Sequence, residues 1–325
     1  MKVSIALATY NGEKFIKDQF DSLLKQTVLP DHIVICDDCS TDNTQKIISE
    51  IKKESIIPVT FLKHAVNEGV LSSFRDAVGE CDSDIIFFCD QDDYWYENKI
   101  EEFVKVFESN PDCAVVFSNA EIVDECLKKK GISLWDTLKF SPGKNSLIKE
   151  MFKRNVFTGM CMAVKSDWLA ELTGYSDYML HDEFIGWNAV VAGKAAALND
   201  CLAGYRQHTD NVVGSSGYTQ FNSTGQMKKT VHKSSERTWH KFIDLKKIVE
   251  SGSDLQMQFD RAEKFYRFRA AIPEQKKIKA FFRCLKEGIN GNYIRYCSRT
   301  ERAFIKDIAC IILQSGVFRR FRSED

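Results

Sequence analysis

The sequence predicts an α/β fold, a mostly parallel sheet covered on both faces, followed by an α-helical C-terminal region. Three observations predict it. Over the first 120 residues, short apolar runs alternate with stretches at helical spacing, the pattern of strand–helix–strand units. The apolar runs are near-continuous, as in strands buried on both sides. Residues 226–315 hold a single proline, Pro273, and many helix formers.

In chain order, VSIALAT (3–9) is a short apolar run with β-branched members, a first strand. Gly12 to Gln26 places Phe15, Ile16, Phe20, Leu23 and Leu24 at helical spacing. HIVIC (32–36) is a second strand, and Thr41 to Lys53 a helix capped by Thr41 or Asp42. PVTFLKH (58–64) is a third strand, Val70 to Val78 a helix, and IIFFC (85–89) a fourth strand. Asn98 to Glu108 is helical and CAVVFS (113–118) is a fifth strand. Beyond residue 120 the pattern loosens: VFTGMCMAV (156–164) reads as a buried strand, Glu183 to Ala192 as a helix, KAAALN (194–199) as a strand. The organisation expected is one domain over 1–225 and a helical region over 226–325.

The 325 residues are 44% apolar and 28% charged, the balance of an ordinary globular protein. The net charge of -1 hides an asymmetry, with residues 1–225 at -12 and residues 226–325 at +11. A basic C-terminal region of this kind points to an anionic surface. Nucleic acid is the other use of such charge, but no RNA or DNA motif accompanies it. Within the tail, Phe304, Ile308 and Ile311 or Ile312 share a helical face ahead of FRRFR (318–322). That face reads either as a membrane-surface element or as a terminal helix docked on its own domain. The odd count of eleven cysteines, many in apolar runs, fits reduced thiols. The one CxxC, Cys36 to Cys39, has no second pair nearby to complete a zinc site. No secretory signal opens the chain and no run of 18 apolar residues occurs, so the expectation is a cytoplasmic protein, peripheral at most on the inner face of the cell membrane.

In open α/β sheets, ligands bind beyond the carboxyl ends of the strands. Polar residues stand there after four strands: Thr9-Tyr10-Asn11-Gly12, then Asp37, Asp38, Ser40 and Asp42, then Asn67-Glu68-Gly69, then Asp90, Asp92 and Asp93 in IIFFCDQDDYW. Turn chemistry explains any one of these; four at one sheet edge, two of them carboxylate pairs, ask for more. Three carboxylates so close are tolerable with a divalent cation among them, and hard oxygen ligands suit Mg²⁺ or Mn²⁺. Such ions commonly complete their shell with substrate phosphates, which implies a phosphate-bearing ligand. Neither GxxxxGK[ST] nor GxGxxG is present.

ALATYNGEKFIKDQFDSLLKQT, VICDDCSTDNT, NEGVLSSFRDA and FFCDQDDYW resemble the successive motifs of family 2 glycosyltransferases. TGMCMAVK, LHDEFIGWNAVVAGK and GYRQHTDNVVG are similar to a narrower group, bacterial rhamnosyltransferases of cell-surface polysaccharide synthesis. The resemblance covers roughly residues 1–214, and its seven motifs occur in family order. It implies a GT-A fold, the Rossmann-like nucleotide-diphospho-sugar transferase sheet, with a nucleotide-binding half (1–118) and an acceptor half (119–225). Cys39 departs from the family, which usually has glycine in this turn; a small Cys fits if φ there stays negative.

The resemblance also implies roles. Thr9 and Asn11 line the nucleotide pocket, and Asp38 or Asp37 accepts the N3–H of a uracil or thymine. Asn67, Gly69 and Arg75 flank the donor, with Arg75 near the diphosphate. Asp90 approaches the ribose or donor sugar, Asp92 ligates the metal, and Asp93 orients the others. His208 is a metal ligand or diphosphate contact, with Asn211 closing its loop. Asp182 is the general base on the acceptor hydroxyl, and His181 and Trp187 lie on the acceptor side. Spacing alone favours Asp182 as the N-cap of the helix from Glu183; the two roles are compatible. The partners implied are a dTDP- or UDP-linked sugar donor, rhamnose first, and an oligosaccharide or lipid-linked acceptor. The alternatives are a UDP-hexose donor, a nucleotidyltransferase, or a non-catalytic glycan-binding protein.

Overall fold

The computed structural model describes residues 1–144, 146–208 and 224–312, with the side chains of 224–231 left aside. It divides into two compact units.

The first unit comprises residues 1–147, 156–175 and 180–215. Its sheet contains β1 (Val3–Thr9), β2 (His32–Asp37), β3 (Val59–Lys63), β4 (Ile85–Asp90), β5 (Tyr94–Trp95), β6 (Val115–Val123), β7 (Lys129–Ser133), β8 (Met162–Lys165) and β9 (Ala195–Arg206). The order is β3-β2-β1-β4-β8-β6-β9-β5, with β7 on β6. All seven residues of β1 are buried, which fits its central place between β2 and β4. The helices are α1 (Ile16–Leu24), α2 (Thr44–Glu54), α3 (Val70–Gly79), α4 (Lys99–Ser109), α5 (Leu134–Leu138), α6 (Leu147–Lys153, nearly all in the second unit), α7 (Ser166–Glu171) and α8 (His181–Val191).

Parallel pairing of β1 with β2 and β4, and of β2 with β3, follows the predicted alternation. The register decides where the site falls. Thr9 pairs with Asp37, Ala8 with Asp90, and Asp37 with Lys63. The carboxyl ends of β1 to β4 therefore finish level. The fifth predicted strand does not adjoin the fourth. β8 intervenes, antiparallel to both β4 and β6. The run 156–164 is mostly not strand: a 3₁₀ turn at Gly159–Cys161 precedes β8.

The second unit comprises residues 148–155, 176–179 and 216–325, so two short excursions from the predicted first domain belong to it. It holds the bulk of α6 with α9 (Thr224–Leu245), α10 (Asp254–Ala271), α11 (Lys277–Ile289), α12 (Asn292–Tyr296) and α13 (Thr300–Ile312). Phe152 of α6 stacks on Phe242 at 5.7 Å and meets Phe259 and Tyr296. Arg269 donates two hydrogen bonds to the fully buried Asp307, at 2.7 and 3.1 Å, and Tyr293 donates a third at 2.6 Å. Asp307 faces this network, and Cys310 and Ile311 beside it are buried, so much of α13 docks on its own unit. No helix among the described residues is long and apolar enough to cross a membrane. FRRFR (318–322) and Asn211 lie outside the described residues.

Candidate functional site

Gln91 ties the loop after β4 to the loop after β1. Its Oε1 accepts from Thr9 Oγ1 (2.6 Å) and Tyr10 N (2.9 Å), and its Nε2 donates to Tyr10 O (3.0 Å). A Cβ on Gly12 would stand 2.2 Å from Gln91 Oε1, so a side chain there would displace the Gln91 amide from these bonds. Asn11 Oδ1 accepts from Thr41 N (2.8 Å), and Asn11 N donates to Ser40 Oγ (2.8 Å). The loops after β1 and β2 are thus laced together. Neither Thr41 nor Asp42 occupies the cap position of α2, which is Asn43; Asp42 Oδ1 still accepts from Thr44 N at 3.0 Å.

Asp37 and Asp38 are both buried. Asp37 accepts from Ser40 N (3.0 Å), Gln45 Nε2 (2.6 Å) and Ser40 Oγ. Asp38 accepts from Glu68 N (2.7 Å), Gly69 N (2.8 Å) and His64 Nδ1 (2.8 Å). Burial pushes the Asp38 carboxyl up, but these three bonds outweigh it and hold it below the ordinary range. A carboxylate offers about four acceptor sites, so each has room for one further donor. His64, which sequence reasoning missed, also reaches Asp76 Oδ2 (3.1 Å) and Cys36 Sγ (3.3 Å) through Nε2. Burial disfavours its cation, yet the bonds to Asp38 and Asp76 raise it above the usual histidine value. Both thiols of the CxxC are unbridged, and burial pushes Cys36 up to about 11, which disfavours its thiolate.

Cys39 has φ of 63°, in the left-handed region, which corrects the expectation of a negative φ. The cause lies in the clamps beside it: Asp38 N donates to Thr9 O (2.9 Å), and Ser40 N to Asp37 Oδ1 (3.0 Å). A non-glycine residue there costs roughly 1–2 kcal/mol, partly offset because glycine loses about 0.5–1 kcal/mol more chain entropy on folding. Cys39→Gly is therefore expected to raise the urea midpoint by the equivalent of up to about 1 kcal/mol at unchanged slope, and β-branched Cys39→Val to lower it. A lower midpoint for the glycine variant would contradict the strain.

The acidic group at the end of β4 is arranged in depth. Asp93 is buried and accepts from Arg206 N at 3.0 Å; burial, then Asp92 and Asp90, hold its carboxyl well above the usual range. Asp92 meets His208 Nε2 at 2.8 Å, and the His208 ring rests 4.7 Å from Phe15. Asp90 is half-buried, and no hydrogen bond reaches its carboxylate among the described residues. Burial, then the charges of Asp92 and Asp182, push it up to about 7. Beneath lies Lys99, fully buried, its ammonium 3.5 Å from the Trp95 ring centroid and donating to Met160 O. Burial draws it down to about 8 against the pull of Cys161, Cys89, Asp93 and Asp90. Arg206, also buried, anchors the end of β9 through Glu125 O (3.0 Å) and Asp18. Three carboxylates and an imidazole are donors of the kind a divalent cation takes, whereas the group whose ligand atoms converge within 4.8 Å of one another among the described residues is His64, Glu68 and Asp76.

Asp182 lies inside the first turn of α8, whose cap is Leu180, so the N-cap reading is corrected; its Oδ1 accepts from Glu183 N at 2.6 Å. Its place near Asp90 is visible in the electrostatics. The acceptor-side expectation for Trp187 is also corrected. That side chain is 0% exposed, because α8 buries Phe184 to Trp187 in succession. His181 does not present its ring to an acceptor either. The imidazole packs 4.1 Å from Phe74 and 4.8 Å from Phe88, and a Cβ on Gly159 would meet it at 2.7 Å. Neither ring nitrogen has a partner among the described residues, and burial lowers it to about 3, leaving it neutral. Asn67 Nδ2 donates to Asp38 O at 3.4 Å, and Gly69 takes φ of 88°. Arg75 is bonded to Asp76 and Ser72 on its own helix, its side chain 70% exposed; no contact joins it to the acidic group among the described residues.

Comparisons with known proteins show the family and the fold. The sequence model described as "Glycosyl transferase family 2" matches residues 4–173. The dTDP-rhamnosyl transferase RfbG of Shigella flexneri is 28% identical over 236 residues, 64% of this chain and 73% of that protein. The UDP-Glc:alpha-D-GlcNAc-diphosphoundecaprenol beta-1,3-glucosyltransferase WfaP of Escherichia coli is 36% identical over 107 residues, 33% of this chain and 41% of that one. Across the curated relatives matched, the aligned stretch spans 38% to 89% of their lengths. Among solved structures, S. aureus TarS 1–349 in complex with UDP superposes with a TM-score of 0.59 at 15% identity, over 98% of this chain and 92% of that one, which shows the shared GT-A fold.

Proposed function

The chain belongs to glycosyl transferase family 2, and from that premise we propose that it transfers a sugar, with inversion, from a nucleoside diphosphate donor to a growing surface polysaccharide or lipid-linked oligosaccharide. The observation that carries this reading is Asp90 at the end of β4, whose carboxylate has no hydrogen bond among the described residues, with Asp92 beside it and Asp182 close enough to raise it.

Thr9, Asn11, Asp37 and Asp38 line the nucleotide pocket. Asp38, fixed by three donors, uses its remaining acceptor site on the N3–H of the base. That edge is common to uracil and thymine, so the carboxylate selects a pyrimidine rather than one of the two. Asn67 and Gly69 flank the donor and hold the Asp38 turn; Arg75 swings from its own helix toward the diphosphate. Asp90 orients the ribose or the sugar. Asp92 and His208 would hold Mg²⁺ or Mn²⁺, which when bound acts as a Lewis acid and template for a departing diphosphate. Asp93, bonded to Arg206 N, fixes the loop. Asp182 takes the proton from the acceptor hydroxyl as it attacks the anomeric carbon. A carboxylate serves, because the oxocarbenium-like centre acidifies its attacker. The basic C-terminal region contacts the anionic inner leaflet, where lipid-linked acceptors reside.

The preferred donor is dTDP-rhamnose, supported by the likeness to RfbG. A UDP-hexose is the second reading, supported by the likeness to WfaP. A donor screen with Mn²⁺ or Mg²⁺, scored by released nucleoside diphosphate, tests both. Turnover with dTDP-rhamnose and little with UDP-glucose or UDP-galactose is expected; the reverse would move the donor and leave the transfer chemistry intact.

A further inference from the structure

Among the described residues of the second unit, an exposed apolar stripe lies on α11, whereas Cys310 and Ile311 of α13, where the sequence placed its stripe, are buried. Ile278, Phe282 and Ile289 of α11 are 75%, 65% and 87% exposed. At 3.6 residues per turn they fall within a sector of about 40°. Ala280 and Cys284, both buried, face the core from another side, and Gly288 lies against Phe304. Single exposed apolar residues are ordinary, but three large ones in one stripe are not. Lys279 and Lys286 stand exposed along one flank of the stripe, and Lys276 is exposed at the N-cap of the helix. Residues 276–289 hold five cations and one carboxylate. That carboxylate, Glu287, is engaged by Asn292 Nδ2, and Arg283 lies 4.8 Å over the Phe268 ring. The stripe therefore presents hydrocarbon together with lysine ammonium groups that no ion pair engages among the described residues. A protein partner's apolar face would match the first and not the second; a bilayer of anionic headgroups matches both.

We propose that this face of α11 docks the protein on an anionic phospholipid surface, with Ile278, Phe282 and Ile289 entering the interface and Lys276, Lys279 and Lys286 contacting headgroup phosphates. The inference rests on the peripheral-contact part of the reading above and not on the transfer chemistry. Donor turnover by the dissolved enzyme is a separate assay, so the two fail separately.

The test is co-sedimentation of the full chain with vesicles of phosphatidylglycerol in phosphatidylcholine, at low and high salt. Wild-type protein is expected to pellet with the anionic vesicles, far less with pure phosphatidylcholine, and less as salt rises. The triple variant Ile278→Ser, Phe282→Ser, Ile289→Ser should lose about a hundred-fold in partitioning. Lys276→Gln, Lys279→Gln, Lys286→Gln should lose a similar amount at low salt, about five-fold per cation. All six residues are exposed, and the charge variant gives an independent reading if the serine variant misfolds. Undiminished vesicle binding by both variants would overturn the proposal. So would wild-type protein that self-associates through this face, seen as a dimer that the serine variant dissociates while its vesicle binding stays unchanged.

Discussion

Asp92→Asn is expected to lower sugar transfer by about a thousand-fold or more while leaving the fold intact. The size follows from the role: stabilising charge on the leaving diphosphate is worth several kcal/mol, and each 1.36 kcal/mol is a factor of ten. The fold survives because Asp92 sits at the mouth of the group, and an amide keeps an oxygen within reach of His208. Stability in chelator should even rise. The Asp92 charge is, after burial, the largest influence raising both Asp90 and Asp93, so removing it relieves the pocket. Asp182→Asn should also lose about 10²- to 10⁴-fold, the usual worth of a general base. Its binding of nucleoside diphosphate should be unchanged, whereas Asp92→Asn should weaken that binding and depend more steeply on Mn²⁺. Transfer at the wild-type rate by Asp92→Asn would remove the metal role, and equal loss of nucleotide binding in both variants would remove the division of labour.

Much of this site was legible because the chain announces it at strand ends. Apolar runs closing on polar turns placed β1 to β4, and the level register of Thr9, Asp37 and Asp90 brings their turns together as the alternation implied. What the sequence concealed are contacts at long separation. Gln91 between two aspartates looks like one more polar turn residue, yet it fastens the loop after β1. His64 follows Lys63, whose pairing with Asp37 sets it beside Asp38; only the register reveals that. β8 interrupts the sheet by entering antiparallel from residues 162–165, and a four-residue strand after a 3₁₀ turn has too short a period to announce its direction. Trp187 failed differently. Its acceptor-side place came from the resemblance alone, and α8 is enclosed on most of its circumference, so periodicity carried no information about a face. For Lys99 a cue existed: it precedes Phe103 by four positions and so shares the core stripe of α4 with Phe103 and Phe107. A lysine at a helix start reads by default as solvated, which hid it.

Lys99→Met is expected to have opposite consequences at two pH values, and that contrast identifies what the lysine does. The ammonium is buried, with Met160 O and the Trp95 ring as its nearest partners among the described residues, and burial lowers it from 10.5 to about 8. A base depressed in the folded state costs stability below its folded pKa, here on the order of 3 kcal/mol, and that cost fades as pH rises from about 8 toward 10.5. What it supplies in return is charge for Asp90 and Asp93. Asp90, raised from 3.8 to about 7, contributes stability below 3.8 that is lost as pH climbs through 7. Without Lys99 its folded pKa moves higher still, so the loss above neutrality deepens, and the same holds for Asp93, where Lys99 also acts to lower the carboxyl. At pH 5 the carboxylates of the variant are protonated and the buried ammonium is gone, so Lys99→Met should equal or exceed wild type. At pH 7.5, in chelator, where the wild-type ammonium is still largely protonated while Asp90 is largely ionised, it should fall about 3 kcal/mol below, the usual cost of stranding buried charge. Urea titrations at the two values read this directly. A deficit of the same size at both would mean that the methylene stem fills space and the charge is incidental; a deficit confined to high pH assigns the ammonium the task of keeping the aspartates of β4 ionised and ready for a cation.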